Sequence, residues 1–366
     1  MIGKRLYEDR ILFKNRLNRS LHSQNIERNV MVNYSLRSFA IHPIGRLSVL
    51  LLLLNCSSQS PSDYSSDFRV VDKYGQLRVE GNKIVSMQGD TVVLEGMSLF
   101  WSQWIDTYYN YDCIRWLRDD WHCEVIRAAV GTAHGGYLDN PETEMKKICK
   151  VIEACIDLGI YVIVDWHSHK AESEQEESID FFSEIACLYG DKPNVIYEIY
   201  NEPLRVSWDK VVKPYHEAVI ASIRNYDPDN IIIVGTTHWS QNIDEAADNP
   251  IPDENVAYSL HFYAGTHKQW LRDKALCALD KNIALWVTEC GTCNSDGNGP
   301  IDHTEFELWY DFMRTHKISW CNWSVSDKLE TSAALLPDAE PEGGWSESEL
   351  SESGKLVRSK IREANL

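Results

Sequence analysis

Two glutamates 87 residues apart stand where apolar runs end: Glu202 in Tyr200-Asn201-Glu202-Pro203 and Glu289 in Val287-Thr288-Glu289-Cys290. Two carboxyl groups facing one bond are the machinery of glycoside hydrolysis. One must be protonated to give its proton to the leaving oxygen, and the other must be ionised to attack the anomeric carbon. Different surroundings can hold such a pair apart in pKa. Other polar residues collect at similar places: Arg127 inside Val125–Val130, His167 after Asp165-Trp166, the His261-Phe262-Tyr263 run, and Trp323 after Asn322. Each alone reads equally well as a cap on a following helix. Together they point to a site, because an arginine inside an apolar run is costly to bury without partners.

Such residues need a scaffold that brings distant segments to one place. From about residue 70 the chain alternates short β-branched runs with helical patterns. The expected strands are Val92–Gly96, Val125–Val130, Tyr161–Asp165, Val195–Tyr200, Ile231–Val234, Ala257–Leu260, Ala284–Thr288 and Ile318–Asn322. Between them lie helices such as Glu142–Leu158, where Met145, Ile148, Cys149, Ile152, Cys155 and Ile156 form one apolar stripe that Gly159 ends. Eight strands in strict alternation imply a parallel sheet, and runs apolar on both faces imply a sheet covered on both sides. The fold class is therefore α/β, a (β/α)8 TIM barrel preceded by a short β-hairpin over 77–85 that turns at Gly81-Asn82. An open doubly wound sheet would place a Gly-rich phosphate turn after its first strand. The turn here, Gly96-Met97-Ser98-Leu99-Phe100-Trp101, has none. In a barrel, chemistry sits at the C-terminal ends of the strands. Strands four and seven are three places apart, so Glu202 and Glu289 should face each other at a spacing of roughly 5–5.5 Å, the retaining arrangement. Strand position also sets Tyr263 to donate to Glu289, with the charge of Arg127 nearby.

Residues 70–366 resemble glycoside hydrolase family 5, in particular its bacterial endo-β-1,4-glucanase (cellulase) subfamily. The segments that carry the likeness are Tyr200-Asn201-Glu202-Pro203, Thr288-Glu289-Cys290-Gly291, Val125–Val130, Gly135-Gly136-Tyr137, Asp165-Trp166-His167, Trp239-Ser240-Gln241, Asn322–Lys328 and Gly343-Gly344-Trp345-Ser346. The resemblance implies that Glu202 is the general acid/base and Glu289 the nucleophile. It implies that Asn201 binds the 2-hydroxyl of the sugar at the cleavage point, that Arg127 and Tyr263 hold Glu289, and that His167 and His261 shape that subsite. Trp323 would lie beneath the cleaved sugar and Trp239 on the leaving-group side. Tyr137, Lys328 and Glu330 would contact sugars toward the non-reducing end. The chain departs from the family at Cys290, where an aromatic residue is usual, and in the first loop, which often carries a His but here reads Leu99-Phe100-Trp101-Ser102-Gln103-Trp104. Trp101 and Trp104 read equally as stacking platforms or as core.

Composition narrows the partners. The 366 residues are 43% hydrophobic and 25% charged, which excludes a disordered or low-complexity chain. A net charge of −19 argues against nucleic acid, whose binding needs clustered Lys and Arg. Thirteen Trp and 17 Tyr provide flat rings of the kind that stack on sugars. The expected partner is a β-glucan chain, the expected state a monomer, and no cofactor or metal is implied. Residues 1–55 are basic, with nine Lys/Arg against three acids, and Arg46 precedes the run Leu47–Leu54. A basic flank before a short apolar stretch describes an export signal, with Met1 or Met31 as its start. The run Leu53-Leu54-Asn55-Cys56 resembles a lipobox, so Cys56 is the expected lipidation site and the only expected link to a membrane, and the expected location is the cell envelope (periplasm or cell surface) or, as a secreted protein, the medium. Residues 56–69 read as a Ser-rich linker. Cys290-x-x-Cys293 has no second ligand pair at zinc spacing and reads as coincidence. The alternatives to a glucanase are a β-mannanase or other β-glycanase on the same scaffold, and a non-catalytic glycan-binding surface protein.

Overall fold

The structure, a computed structural model, describes residues 69–365. The expected export signal, the lipobox and nearly all of the linker lie outside that range. Among the described residues no helix is long and apolar enough to cross a membrane.

The hairpin forms as expected: β1 (Arg78–Glu80) pairs antiparallel with β2 (Lys83–Val85), and Gly81 takes the left-handed φ of 63° that the turn requires. The next eight strands are β3 (Glu95–Leu99), β4 (Val125–Gly131), β5 (Tyr161–His167), β6 (Val195–Glu198), β7 (Ile232–Val234), β8 (Val256–Tyr263), β9 (Leu285–Gly291) and β10 (Ser319–Val325). All eight pair in parallel, and β10 bonds to β3 to close the barrel. The helix between β4 and β5 runs over Pro141–Leu158. Pro141 pre-sets its first turn, the expected apolar stripe is buried except for half-buried Ile156 at its edge, and Gly159 in the left-handed conformation caps the helix by donating to Cys155 O and Ile156 O. Helix Glu352–Ala364 starts at a Ser351 cap and is the last described.

The strand bounds differ from expectation at their C-terminal ends: several strands run further, whereas β6 stops at Glu198, two residues short of the expected Tyr200. His167, Tyr263, Glu289 and Trp323 lie inside strands rather than after them. Pairing between neighbours continues through polar positions, as in His261↔Glu289 and Gly131↔His167, because backbone bonds do not depend on apolar side chains. The first barrel strand is also shifted, from Val92–Gly96 to Glu95–Leu99. Val92 donates to Ile84 O and so extends the hairpin, whereas barrel pairing begins at Trp320↔Glu95.

Candidate active site

At the centre of the barrel mouth is Arg127, carried by β4 and fully buried. Its guanidinium reaches Glu198 through Nε at 2.7 Å and Nη2 at 3.2 Å, and Glu289 through Nη1 at 3.1 Å. Nη2 also lies 2.9 Å from Asp165 Oδ2 and donates to Asn201 Oδ1 at 2.7 Å. One fixed planar cation thus orders residues from three strands and the loop after β6, the bidentate task to which Arg is suited and Lys is not. Because Asn201 Oδ1 accepts from Arg127, the amide orientation is set and its NH2 remains as a donor.

Glu289 and Glu202 meet above this layer. One oxygen of each and a ring nitrogen of His261 all lie within 4.8 Å of one another. Glu289 Oε1 accepts from the Tyr263 hydroxyl at 2.8 Å and Oε2 from Arg127. Glu202 Oε1 is 2.9 Å from His261 Nδ1 and Oε2 is 3.1 Å from His169 Nε2. A divalent cation gripped by this trio would have to displace those partners from the same oxygens, so the arrangement suits proton transfer better than ion binding.

Hydrogen-bond directions locate the proton. Thr288 Oγ1 donates to Glu198 Oε1 at 2.7 Å, so it accepts from His261 Nε2 at 2.8 Å, and that ring nitrogen carries hydrogen. The 2.9 Å contact between His261 Nδ1 and Glu202 then also holds a proton, shared by the pair. Burial alone would push Glu202 up, but the hydrogen bonds from His169 and His261 outweigh it and bring the carboxyl down to about 2. Burial would lower His261, yet its bonds to Glu198 and Glu202 push it up to about 9. Glu289 is raised above the ordinary carboxylate range, by burial first and then by the charge of Glu202, with His261, Arg127 and Tyr263 pulling it back. Burial and the charge of Arg127 hold His167 well below its usual value, so it is neutral and donates Nδ1–H to Asp165 Oδ2 at 2.6 Å.

Aromatic rings line the mouth. Trp323 lies parallel to the His167 ring, 5° between planes and 5.1 Å between centroids, and packs on Phe100. Trp101 stands edge-on to His167 at 4.1 Å and packs on the cluster of Phe100, Ala129, Tyr263 and Trp323, while Trp104 beside it is 54% exposed. Lys328 sits over the Phe100 ring at 5.0 Å.

Two expected sugar contacts sit differently. Tyr137 is buried edge-on against Trp166 and Phe181, so its ring belongs to an internal aromatic cluster. The Glu330 carboxylate is almost wholly buried and holds Lys328 at 2.5 Å and the Ser332 hydroxyl at 3.1 Å, which makes Lys328 the member of that pair open to a ligand. Cys290 is buried in the barrel wall, with Sγ 3.5 Å from Cys321 O, and both CxxC thiols are free. The sequence reading gave no role to Asp165, Glu198, His169 or Thr288. The available signal was charge inside buried runs, as in Val195-Ile196-Tyr197-Glu198, the same signal that singled out Arg127.

With this geometry in view, comparison with known proteins is decisive. The profile of the Cellulase (glycosyl hydrolase family 5) family matches residues 85–329. Endoglucanase A of Evansella cellulosilytica is 51% identical over 281 residues, 75% of this chain. The chain belongs to glycosyl hydrolase family 5. It spans only 57% of the length of that relative. A solved structure from Cytophaga hutchinsonii is 56% identical, with a TM-score of 0.81, and covers 81% of this chain and 98% of its own. The catalytic domain of an endoglucanase from Thermobifida fusca, in complex with cellotetraose, is 34% identical with a TM-score of 0.78, covering 81% of this chain and 100% of its own. Family membership accounts for the closed barrel, and the site described above sits at the rim where such barrels place their chemistry.

Proposed function

We propose that the protein is an endo-acting β-1,4-glucanase that cleaves with retention of configuration. The observation that carries this is the spacing of Glu202 and Glu289, oxygen to oxygen within 4.8 Å. That spacing suits a nucleophile touching the sugar, and leaves no room for the water that an inverting pair holds at roughly 6.5–9.5 Å. The cellotetraose bound to the Thermobifida fusca relative supports a β-glucan substrate.

In the first step the shared proton moves from His261 Nδ1 to Glu202 and on to the glycosidic oxygen, whose bond to the anomeric carbon breaks. A Glu289 oxygen forms the new bond to that carbon, giving a covalent glycosyl ester. Arg127 and Tyr263 hold the carboxylate aligned for attack, and the Asn201 NH2 group is placed to bind the 2-hydroxyl. In the second step Glu202, now ionised, takes a proton from water, the oxygen of that water attacks the anomeric carbon, and Glu289 leaves as a carboxylate. Trp323 supplies the apolar floor for the sugar held by Glu289.

Each of Glu202→Ala and Glu289→Ala should lower release of reducing ends from carboxymethylcellulose by at least about 10³-fold. The first sugar product should appear as the β-anomer by NMR. Preferential cleavage of mannan, or an α-anomeric product, would overturn the proposal. The basic flank, Leu run and Cys56 further support export as a lipid-anchored protein of the cell envelope. Fractionation of cells should find it with the membrane, and a wholly cytoplasmic chain would contradict this.

A further inference from the structure

We propose that Glu172 and Glu174 are positioning residues for the proton donor: they pin the loop between β5 and the next helix to three strand ends and so hold His169 against Glu202. This role rests on the glucanase reading above.

That loop runs over 168–174 and leads into helix Gln175–Tyr189. Backbone bonds set its start beside the acid. Asn201 N–H donates to Trp166 O at 3.1 Å and Glu202 N–H to Ser168 O at 3.2 Å. These bonds do not fix the imidazole that follows. His169 is over a third exposed, and its Nε2 meets Glu202 Oε2 at 3.1 Å. Keeping so exposed a side chain on that contact costs conformational freedom, and a rigid backbone beneath it lowers the cost.

Two carboxylates make the backbone rigid. Glu172 Oε2 accepts from the Tyr200 hydroxyl, just upstream of Glu202. Glu174 Oε2 accepts from Trp166 Nε1 at 3.0 Å, and its Oε1 from Thr132 Oγ1 at 3.3 Å. The loop is thereby tied to the ends of β4, β5 and β6, which are neighbours in the barrel, and Ala171 is buried between the ties. Glu174 also heads the helix, a position from which a carboxylate can accept from the first turn. Here its side chain makes no such bond and reaches back to the barrel instead. Tyr200 is fully buried, and burial, then the bond to Glu172, pushes its phenol well above the usual range. It therefore remains a donor at any pH of an assay.

The titratable groups that face Glu202 and His169 come from several elements. They are His167 on β5, His261 and Tyr263 on β8, His267 after it, and Glu289 on β9. The loop itself adds the charges of Lys170, Glu172 and Glu174. Tyr200→Phe alters none of these charges, so its effect on pH dependence reports position. Glu172→Ala removes a negative charge, which by itself would make Glu202 more acidic. Loosening His169 has the opposite effect, because Glu202 then holds its proton more firmly.

The test follows cellopentaose cleavage by the full-length protein across pH, together with NMR titration of His169 without substrate. Tyr200→Phe and Glu172→Ala should each lower kcat by about three- to tenfold and move the alkaline limb of kcat/KM to higher pH. Glu172→Gln, whose amide oxygen can still accept from Tyr200, should recover most of the rate. Added to His169→Ala, Tyr200→Phe should cost no more than about twofold further, because both act through one contact. Burial would lower the His169 imidazole, yet its bond to Glu202 raises it, so it should titrate at lower pH in Tyr200→Phe than in wild type. An unmoved His169 titration, an unmoved limb, or a full further loss on top of His169→Ala overturns the positioning role alone. Wild-type protein that cleaves no cellopentaose overturns the glucanase reading and that role with it.

Discussion

Glu202 is held by two imidazoles, one on each oxygen, and they differ in surroundings. His261 is buried and relays through Thr288 to Glu198, whereas His169 is over a third exposed at the rim beside Trp101. Both draw the carboxyl down, so His169 acts as a positioning residue that also makes Glu202 a stronger acid. His169→Ala removes one charge-assisted hydrogen bond, and kcat should fall by about tenfold or more. Without that donor Glu202 holds its proton more firmly, so the alkaline limb of the kcat/KM profile should move to higher pH. A profile unchanged in position would show that His169 only packs. Glu202 and Glu289 were legible from the sequence because each stands in a short polar motif after an apolar run. His169 was not, because nothing in Ser168-His169-Lys170 separates it from an ordinary loop residue until the fold sets it 3.1 Å from Glu202.

At the level of the strands, what positions the chemistry is register. β4 and β5 pair from Val125↔Tyr161 through Gly131↔His167, which puts Arg127 one layer below the rim and His167 at it. The close approach of β3 to β4 depends on Gly96, where a Cβ would come within 1.8 Å of Val125 O. That neighbour is backbone and cannot turn aside. Gly96→Ala should therefore destabilise the fold by about 2–3 kcal/mol, read as a lower denaturant midpoint, and should also reduce activity by displacing Arg127 on the paired strand. A variant with an unchanged midpoint would contradict the packing argument. The alternation of strands and helices was readable from periodicity, but the strand ends were not. The ends of β5, β8, β9 and β10 carry His, Tyr, Glu and Trp, whose types argue for loops while their backbones remain paired.

For the whole molecule, two buried carboxyls away from the Glu202–Glu289 cluster govern stability against pH. Glu95 begins β3 and Glu124 immediately precedes β4, and burial pushes each up to about 8. Each has one buried oxygen with no partner in the structure. Their folded values lie above the model-peptide value of 4.5, so the folded protein binds more protons than the unfolded chain across that interval. Their stabilising contribution is full below pH 4.5, is lost as pH rises through about 8, and changes little beyond. Thermal unfolding should therefore show a midpoint that declines between pH 5 and 8, and Glu95→Gln with Glu124→Gln should flatten the decline. An equally steep decline in the double variant would assign it to other groups. His261 shares this sign: raised from 6.5 to about 9, it favours the fold below 6.5 and loses that effect as pH rises through 9.

The sequence by itself determined the α/β alternation, the count of eight barrel strands, Glu202 and Glu289 as a pair on one rim, and Arg127 as a charge that must find partners. These follow from local facts: apolar periodicity, helix caps, and polar types placed after β-branched runs. Only the tertiary structure decided that Arg127 serves Asp165 and Glu198 as well as Glu289, that a proton is shared between His261 and Glu202, and that the Tyr137 ring is covered. Each of these joins residues from separate strands or loops. Their distances are set by closure of the barrel and by the order of its hydrogen bonds, neither of which any single stretch of chain encodes.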